Sequence, residues 1–362
     1  MLSFGSLNIF AFGYRSSTPI VPGVRTTDHL GLELRMASTS HQVVQEYIAL
    51  HEAVLRERPS NASAMVHQYY DLVTDLYVYG WGKSFHSAPR RKGESLTAAI
   101  RRYEKRIGQA LADAPGSSPN PHWLDLGCGV GGPMRTIARE FGARITGINI
   151  HPGQIARARR YNRSQKLDHL CDFIECDYAH LPPGENMYDG AYSIEAICHA
   201  SDRRAVYAEI FRVLKPGASF VGGDDCLTSL FDEENAQHRK IKRDLELGFA
   251  LPGIATIPEV LSAIEEAGFE LVEHRDLGPA GPSEVPWHVS LSSNLTRGGL
   301  FRSPLLRRIA PRGLELLEKI RLVPHGCGAV YRLICFGGDA LVAAGPTGIF
   351  TPFYFFHARK PA

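Results

Sequence analysis

A glycine-rich turn between residues 123 and 133 combines residue types and a spacing that can bind a charged small molecule. Apolar residues alternate into Asp125, then Gly127 and Gly129 follow, and a helix-like run begins after Pro133. Glycine allows the backbone angles of a tight turn and lets a ligand approach the main chain closely. A strand, a tight turn and a helix start in this order are typical of a dinucleotide site. The alternative is a glycine-rich turn that binds nothing.

The turn also resembles the S-adenosylmethionine loop of the class I methyltransferases. An acidic residue stands two positions before the first glycine, and the Gly-x-Gly pair is followed by Gly-Gly-Pro. The resemblance implies that main-chain amides around Gly127, Cys128 and Gly129 face the carboxylate and ribose of the cofactor. It also implies that Asp125 accepts a hydrogen bond from the cofactor amino group, directly or through water.

Two further predicted strands lead to polar residues that the same cofactor would meet. The strand 144–148 leads to Asn149, where a ribose-binding side chain is expected, and Gln154 follows in the next predicted helix. The strand 173–176 leads to Asp177, where an acid commonly meets the adenine amino group. Alternatives stay open, because Asp177 can be a helix N-cap and Gln154 a surface residue of its helix.

A fourth predicted strand, 188–193, is followed by Glu195 and His199. Residues four apart share a face where a helical turn begins. One of the two side chains could then accept a proton while the other orients it. In the alternative, Glu195 only contacts the cofactor and His199 caps the following helix.

Aromatic residues and glycines mix between residues 76 and 86, which suits neither a long helix nor an alternating strand. The stretch is therefore predicted to be a loop that lines a ligand site, where aromatic faces can stabilise a cation. Together with one tryptophan further along the chain, the candidate substrate-binding residues are Tyr77, Tyr79, Trp81, Phe85, His86 and Trp287. The alternative is that these rings belong to the hydrophobic core.

Strands and helices alternate from about residue 122 onward, which predicts parallel pairing with right-handed crossovers. The expected fold class is α/β, a doubly wound, Rossmann-like sheet with helices before it and an α+β region after it. Ligands bind such sheets at the carboxyl ends of the strands, where the residues named above fall. The predicted parts are a disordered or targeting segment (1–40), a helical region with the aromatic loop (41–121), a cofactor-binding core (122–225) and a C-terminal region (226–362).

Composition and charge narrow the class of protein. The chain has 362 residues, a net charge of +2 and 44% hydrophobic residues, so it is expected to be globular and no nucleic-acid partner is expected. Seven scattered cysteines without a Cys-x-x-Cys pair predict neither a zinc site nor a disulfide framework. No run of about 18 apolar residues occurs, which predicts no transmembrane helix. The acid-poor first 35 residues weakly resemble a targeting peptide.

Three stretches together resemble the sterol 24-C-methyltransferases, and the similarity runs in register from about residue 65 to the C-terminus. They are Tyr79-Gly-Trp-Gly-Lys-Ser-Phe-His86, Leu124-Asp-Leu-Gly-Cys-Gly-Val-Gly-Gly-Pro133 and Tyr192-Ser-Ile-Glu-Ala-Ile-Cys-His199. The resemblance implies transfer of a methyl group from S-adenosyl-L-methionine to the side-chain alkene of a sterol, without a metal. A carbocation forms, a hydride shifts and a base removes a proton. The implied catalytic residues are Glu195, His199, Tyr79, Trp81 and Asp224, and the C-terminal region is expected to cap the substrate.

Several positions depart from the family's pattern. Val78 stands where a glutamate is usual, and Ser87 replaces an aromatic residue. Ile150-His-Pro-Gly153 replaces an Asn-rich turn, and Gly222-Gly-Asp-Asp225 replaces an aromatic residue, an acid and a tryptophan, with Asp224 as the retained acid. The acceptor pocket is therefore expected to differ. The alternatives are a C-methyltransferase of another alkene-bearing triterpenoid or prenyl lipid, and a catalytically inactive sterol-binding protein.

The resemblance also implies partners and a location. Relatives act at lipid surfaces, so peripheral association with the cytoplasmic face of the endoplasmic reticulum or with lipid droplets is expected. They also imply a possible homo-oligomer.

Overall fold

The structure is a computed structural model, and it describes residues 40–57, 62–289, 304–320, 322 and 327–362. The predicted disordered or targeting segment 1–40 lies outside the described residues except for Ser40.

A seven-stranded mixed sheet forms the centre of the fold. Its strands are β2 (His122–Leu126), β3 (Arg144–Asn149), β4 (Cys171–Glu175), β5 (Tyr188–Ile194), β6 (Leu214–Leu227), β7 (Glu270–Asp276) and β9 (Phe350–Arg359). The spatial order is β4-β3-β2-β5-β6-β9-β7, in which the first five strands pair in parallel and β9 pairs antiparallel with β6 and β7. Two short strands, β1 (Arg90–Arg91) and β8 (Glu284–Val285), form a separate antiparallel pair. The predicted α/β class is confirmed.

Ten helices accompany these strands in the described part of the chain. They are α1 (Ser40–Glu57), α2 (Ala62–Gly80), α3 (Leu96–Ala112), α4 (Gly132–Phe141), α5 (Pro152–Ser164), α6 (Arg203–Val213), α7 (Ala236–Phe249), α8 (Ile257–Glu266), α9 (Pro304–Lys319) and α10 (Cys327–Ala344). Two 3₁₀ turns lie at Ile197–His199 and Gly345–Thr347.

The central strands of the sheet are buried on both faces, whereas the edge strand β7 is largely exposed. Successive residues of a strand point to opposite sides of the sheet. On β6 and β9, Phe220 and Phe356 pack with helices α6 and α8. Their neighbours Val221 and Phe355 pack on the other side with helices α3, α4 and α5. The near-continuous apolar runs of the strands are what a sheet covered by helices on both faces requires.

A further layer lies outside this sandwich. Helices α1, α2, α7 and α10 share a cluster of apolar residues, so both ends of the chain contribute to one cap. One segment of the cap, Cys327–Thr347, is long and apolar enough to cross a membrane by length and composition alone. The criterion of a run of about 18 consecutive apolar residues did not detect this segment. Core helices of soluble proteins have the same character, and α10 packs against α7, α9 and α2.

Three predicted details of the elements were wrong. The loop predicted for 76–86 begins only after Gly80, because α2 continues through its first five residues. Helix α7 was not predicted. Strand β6 is 14 residues long and pairs parallel with β5 but antiparallel with β9, whereas the alternation of strands and helices predicted parallel pairing.

Candidate active site

A cavity of about 540 Å³ opens at the carboxyl ends of β2, β3, β4 and β5. Helix α2 and the aromatic loop (residues 81–88) lie over it. All eight residues predicted to bind the cofactor line it: Asp125, Gly127, Cys128, Gly129, Asn149, Gln154, Asp177 and Glu195.

The glycine-rich turn forms the floor of this cavity. Gly127 and Gly129 have left-handed φ angles of 73° and 53°, which glycine adopts without strain. A side chain at Gly127 would also overlap the Ala196 methyl group. The N–H groups of Gly127 and Cys128 both donate to the Ile148 carbonyl oxygen at 3.0 Å. These two amides are thus engaged, and the prediction that they face a cofactor carboxylate finds no support in this arrangement.

Asp125 is the buried acid of the cavity. Its Oδ2 atom has no hydrogen-bond partner among the described residues, and the side chain is only 3% exposed. Burial raises the pKa of Asp125 to about 7, against the lowering effect of the neighbouring Tyr192 hydroxyl. An unsatisfied buried carboxylate is costly unless a ligand donates to it. The position therefore fits the amino group of S-adenosylmethionine.

Asn149 and Gln154 form one hydrogen-bonded unit. The Asn149 Nδ2 atom donates to the Gly129 carbonyl oxygen at 3.1 Å and to Gln154 Oε1 at 2.9 Å, while its Oδ1 accepts from the His151 N–H. Gln154 Nε2 then donates to Thr74 Oγ1 of α2. Gln154 is 2% exposed, so the alternative of a surface residue is wrong. A ribose hydroxyl would have to compete with these bonds for Asn149.

Asp177 follows β4 at the rim of the cavity. Its Oδ1 atom accepts from the Ala179 N–H at 2.9 Å, and its Oδ2 accepts from the Ser63 hydroxyl of α2 at 2.6 Å. The carboxylate thus ties the turn after β4 to the helix that covers the cavity.

Glu195 is held in an unusual conformation. Its φ angle is 48°, a left-handed value that is uncommon outside glycine, and its N–H donates to the Gly223 carbonyl oxygen at 2.8 Å. Its Oε1 atom accepts from the Ser87 N–H at 2.8 Å. Burial and then the nearby Asp225 raise the pKa of Glu195 well above its usual range, while the Ser87 N–H lowers it. A carboxyl group with a raised pKa binds a proton more readily than an ordinary glutamate.

His199 lies in the 3₁₀ turn and also lines the cavity. Its Nδ1 faces the Ala250 carbonyl oxygen at 3.1 Å, which can only accept, so the ring hydrogen is assigned to Nδ1. Nε2 then accepts from the Tyr70 hydroxyl at 3.1 Å. Burial lowers the pKa of His199 to about 4, which keeps the ring neutral. Asp202, not His199, caps helix α6, so that alternative is wrong.

The predicted aromatic residues do not all meet at the cavity. The Phe85 ring lines it and packs edge-on against the Tyr77 ring at a centroid distance of 5.5 Å. Trp81 Nε1 donates to the His86 carbonyl oxygen. Tyr79 is 80% exposed, so its predicted place around a buried cation is wrong for this arrangement.

Trp287 and Asp224 also lie apart from the cavity lining. Trp287 packs on Phe350 in a separate cluster with a centroid distance of 6.0 Å. Asp224 is buried beside Cys198 and Arg203, and burial raises its pKa to about 6 against the effect of Arg203. This acid is placed to act on its neighbours rather than directly on a ligand in the cavity.

Sequence reasoning missed several residues of the site. Tyr70, Tyr178 and Ser63 line the cavity, and Asp225 lies in electrostatic contact with Glu195. The sequence could have indicated Asp225, since two adjacent acids, Asp224 and Asp225, at a predicted strand end are unusual inside a sheet. It could not have indicated Tyr70 or Ser63, because helix α2 was not expected to cover the cofactor.

Family models match two parts of the chain. A methyltransferase domain model matches residues 124–222, and a sterol methyltransferase C-terminal model matches residues 300–362. The chain is 41% identical to cycloartenol-C-24-methyltransferase of Arabidopsis thaliana over 89% of this chain and 95% of that protein. It belongs to the sterol 24-C-methyltransferase family. Sterol 24-C-methyltransferase ERG6 of Saccharomyces cerevisiae is 38% identical over 82% of this chain and 78% of that protein.

Solved structures confirm the class I methyltransferase fold. The cyclopropane synthase MmaA2 from Mycobacterium tuberculosis matches with a TM-score of 0.62, covering 83% of this chain and 99% of that chain at 16% identity. Geranyl diphosphate C-methyltransferase from Streptomyces coelicolor, solved with Mg²⁺, geranyl diphosphate and S-adenosyl-L-homocysteine, matches with a TM-score of 0.56, covering 81% and 98% at 17% identity. At such identities the likeness concerns the fold alone.

The departures of this family member at β6 have a structural explanation. A side chain at Gly223 would overlap the Tyr103 hydroxyl of α3, and one at Gly222 would overlap the Phe356 ring. Tyr103 therefore occupies the space that an aromatic residue on β6 would need.

A cluster of His67, Asp71 and His151 lies beside the cavity, with potential ligand atoms within 4.8 Å of one another. The two imidazole rings are stacked, with an interplanar angle of 7° and centroids 4.6 Å apart. A metal ion lies in the plane of each imidazole that binds it, so one ion cannot serve both rings in this arrangement. Asp71 instead bridges the two histidines and fastens α2 to α5.

Proposed function

We propose that this chain is a sterol 24-C-methyltransferase that uses S-adenosyl-L-methionine and acts in sterol biosynthesis. The observation that carries the proposal is the cavity, where the predicted cofactor residues, Glu195 and Phe85 share one enclosure in a member of this family. Asp125, Asn149 and Gln154 would hold S-adenosylmethionine in this cavity. The bound cofactor would supply an electrophilic methyl group to the side-chain alkene of the sterol, with S-adenosylhomocysteine as the leaving group.

Methyl transfer leaves a positive charge on the sterol, and residues of the protein then stabilise this charge and accept a proton. A hydride shifts along the side chain, and loss of a proton returns its electron pair to form a new alkene. Glu195 is proposed as the proton acceptor, with the His199–Tyr70 pair orienting the substrate beside it. Phe85 supplies an aromatic face near the cation, with the Tyr77 ring packed behind it, and the overlying helix α2 excludes water. None of these steps calls on a metal, so we propose a metal-free reaction.

The test is incubation of the purified protein with methyl-labelled S-adenosylmethionine and cycloartenol, zymosterol, a 24-methylene sterol, squalene or a tocopherol precursor. We expect label in a sterol alkene by mass spectrometry. Label confined to squalene or the quinol would overturn the sterol assignment in favour of another prenyl lipid. Binding of sterol and cofactor without any transfer would identify a catalytically inactive sterol-binding protein.

We further propose peripheral association with the cytoplasmic face of the endoplasmic reticulum or with lipid droplets. Helix α9 and the residues after it carry exposed apolar side chains at Ile309, Leu316 and Ile320, flanked by exposed Arg312 and Lys319. Apolar side chains bordered by cations suit the interface of an anionic lipid surface. A homo-oligomer is also proposed, and light scattering during gel filtration tests it.

A further inference from the structure

Glu104 on helix α3 is a buried carboxylate that the sequence did not single out. It is 1% exposed and lies against His86, which is 2% exposed. Glu104 Oε1 is 3.2 Å from His86 Nε2 and accepts from the Ser84 hydroxyl at 2.6 Å. Burial raises the pKa of Glu104, but the hydrogen bonds from His86 and Ser84 outweigh burial and leave the pKa below its usual value.

His86 makes contacts through both ring nitrogens. Nδ1 lies 2.7 Å from the Ser87 carbonyl oxygen, which can only accept, so this nitrogen carries a hydrogen. Nε2 lies 3.2 Å from the Glu104 carboxylate, and the two buried side chains make an ion-pair contact.

The backbone of Ser87 connects the Glu104–His86 pair to Glu195 in the active site. The Ser87 carbonyl oxygen is held by His86, and its N–H donates to Glu195 Oε1 at 2.8 Å. The loop packs closely against the start of α4, because a side chain at Gly132 would overlap Lys83 and Ser84. Position 87 is thus fixed from one side by the ion pair and presents its N–H to Glu195 on the other.

We propose that Glu104 and His86 are positioning residues that hold the Ser87 N–H on Glu195 and so set how readily Glu195 accepts the proton from the sterol. The inference rests on the proposed function. Without the ion pair, the loop residue is free to move and Glu195 loses a hydrogen bond to its charged form, which raises its proton affinity.

Other ionisable groups facing Glu195 come from several elements and stay in place when Glu104 is changed. They are Asp224 and Asp225 of β6, Tyr70 and Tyr77 of α2, and Tyr103 of α3. The contacts that lead from Glu104 to Glu195 run through His86 and Ser87.

The experiment compares the pH dependence of kcat/KM for the wild-type enzyme and Glu104→Gln on the sterol that the wild type accepts. Because Glu195 acts as a carboxylate, activity falls as pH decreases through its pKa. We expect the acid limb of Glu104→Gln to move up by about one pH unit, which lowers activity about tenfold on that limb. Affinity for S-adenosylhomocysteine is expected to stay within about twofold, since Glu104 does not line the cavity.

Two variants complete the test. Glu94→Gln is the matched control, because Glu94 lies just before the same helix, pairs with its Arg102 and does not line the cavity. Its acid limb should coincide with that of the wild type. If Glu104→Gln does not fold, His86→Gln serves as the second variant; because His86 itself lines the cavity, only the upward direction of its acid limb is compared.

An unchanged or lowered midpoint in an active variant would overturn the inference, since a direct charge effect of Glu104 acts in the lowering direction. A wild type that methylates no sterol would instead overturn the proposed function. The two failures are thus distinguishable.

Discussion

At the scale of single residues, the site is built from acids that the protein withholds from water. Asp125 and Glu195 stand at the ends of neighbouring strands, and burial raises the pKa of both. Perturbed carboxylates in one cavity are typical of functional sites. The two acids have different hydrogen-bond partners, and we therefore assign them different roles. Asp125 Oδ2 has no partner among the described residues and can accept from the cofactor, whereas Glu195 Oε1 accepts from the Ser87 N–H.

Cofactor binding should depend on the charge of Asp125. Because its pKa is raised to about 7, the carboxyl becomes protonated and loses its charge as pH falls below that value. We expect the affinity for S-adenosylhomocysteine to fall between pH 8 and pH 6 in calorimetry, and Asp125→Asn to weaken binding by about tenfold or more at pH 8. Asp113→Asn, at the exposed end of α3, is the control. An Asp125→Asn protein that binds with wild-type affinity would exclude this role.

Glu195→Gln tests the proton acceptor. Loss of a general base typically lowers the rate about 10²- to 10⁴-fold. We expect such a drop in alkene product by mass spectrometry, with binding of S-adenosylhomocysteine retained. Wild-type turnover by Glu195→Gln would assign proton removal to another group.

At the scale of elements, the strand ends were predictable, while the position of the helix that covers the cavity was not. The Gly-rich turn, the strand before Asp125 and the end of β3 at Asn149 follow from local pattern, because glycine spacing and apolar runs encode them. Helix α2 could not be placed over the cavity, since its polar contacts to Gln154 and Asp177 join positions about a hundred residues apart. The contact between Tyr103 and Gly223 could not be predicted for the same reason, because these two residues also lie far apart in the sequence.

The fit between α3 and β6 yields a stability prediction. Gly223→Ala would place a methyl group on the Tyr103 hydroxyl, so we expect a loss of about 1–3 kcal/mol in the free energy of unfolding by urea. Adding Tyr103→Phe removes the hydroxyl and should recover part of that loss, as a double-mutant cycle would show. Gly253→Ala, with open space around it, is the control and should change stability by less than about 0.5 kcal/mol. Equal effects at both glycines would contradict the proposed overlap.

At the scale of the whole molecule, the cofactor cavity lies at one end of the sheet while the C-terminal helices present an apolar surface. Ile309 and Leu316 lie seven residues apart, and Ile320 follows four residues later, so the three share one face at helical spacing. Each is more than half exposed, which is uncommon for a cluster of large aliphatic residues on one face. Such a face suits an enzyme that binds a membrane surface to take a sterol from the bilayer.

Flotation with vesicles of phosphatidylcholine and phosphatidylserine tests whether this face of α9 binds membranes. Burying one aliphatic side chain in the interface contributes about 1.5–3 kcal/mol, so Leu316→Glu should reduce partitioning at least about tenfold. Val272→Glu is the matched control, since Val272 is half exposed on β7, away from α9, and should leave partitioning unchanged. Added salt should weaken binding of the wild type, because screening removes the attraction of Arg312 and Lys319 for the anionic lipid. If Leu316→Glu floats as well as the wild type, another surface contacts the membrane, and the exposed face of α9 then has a different partner.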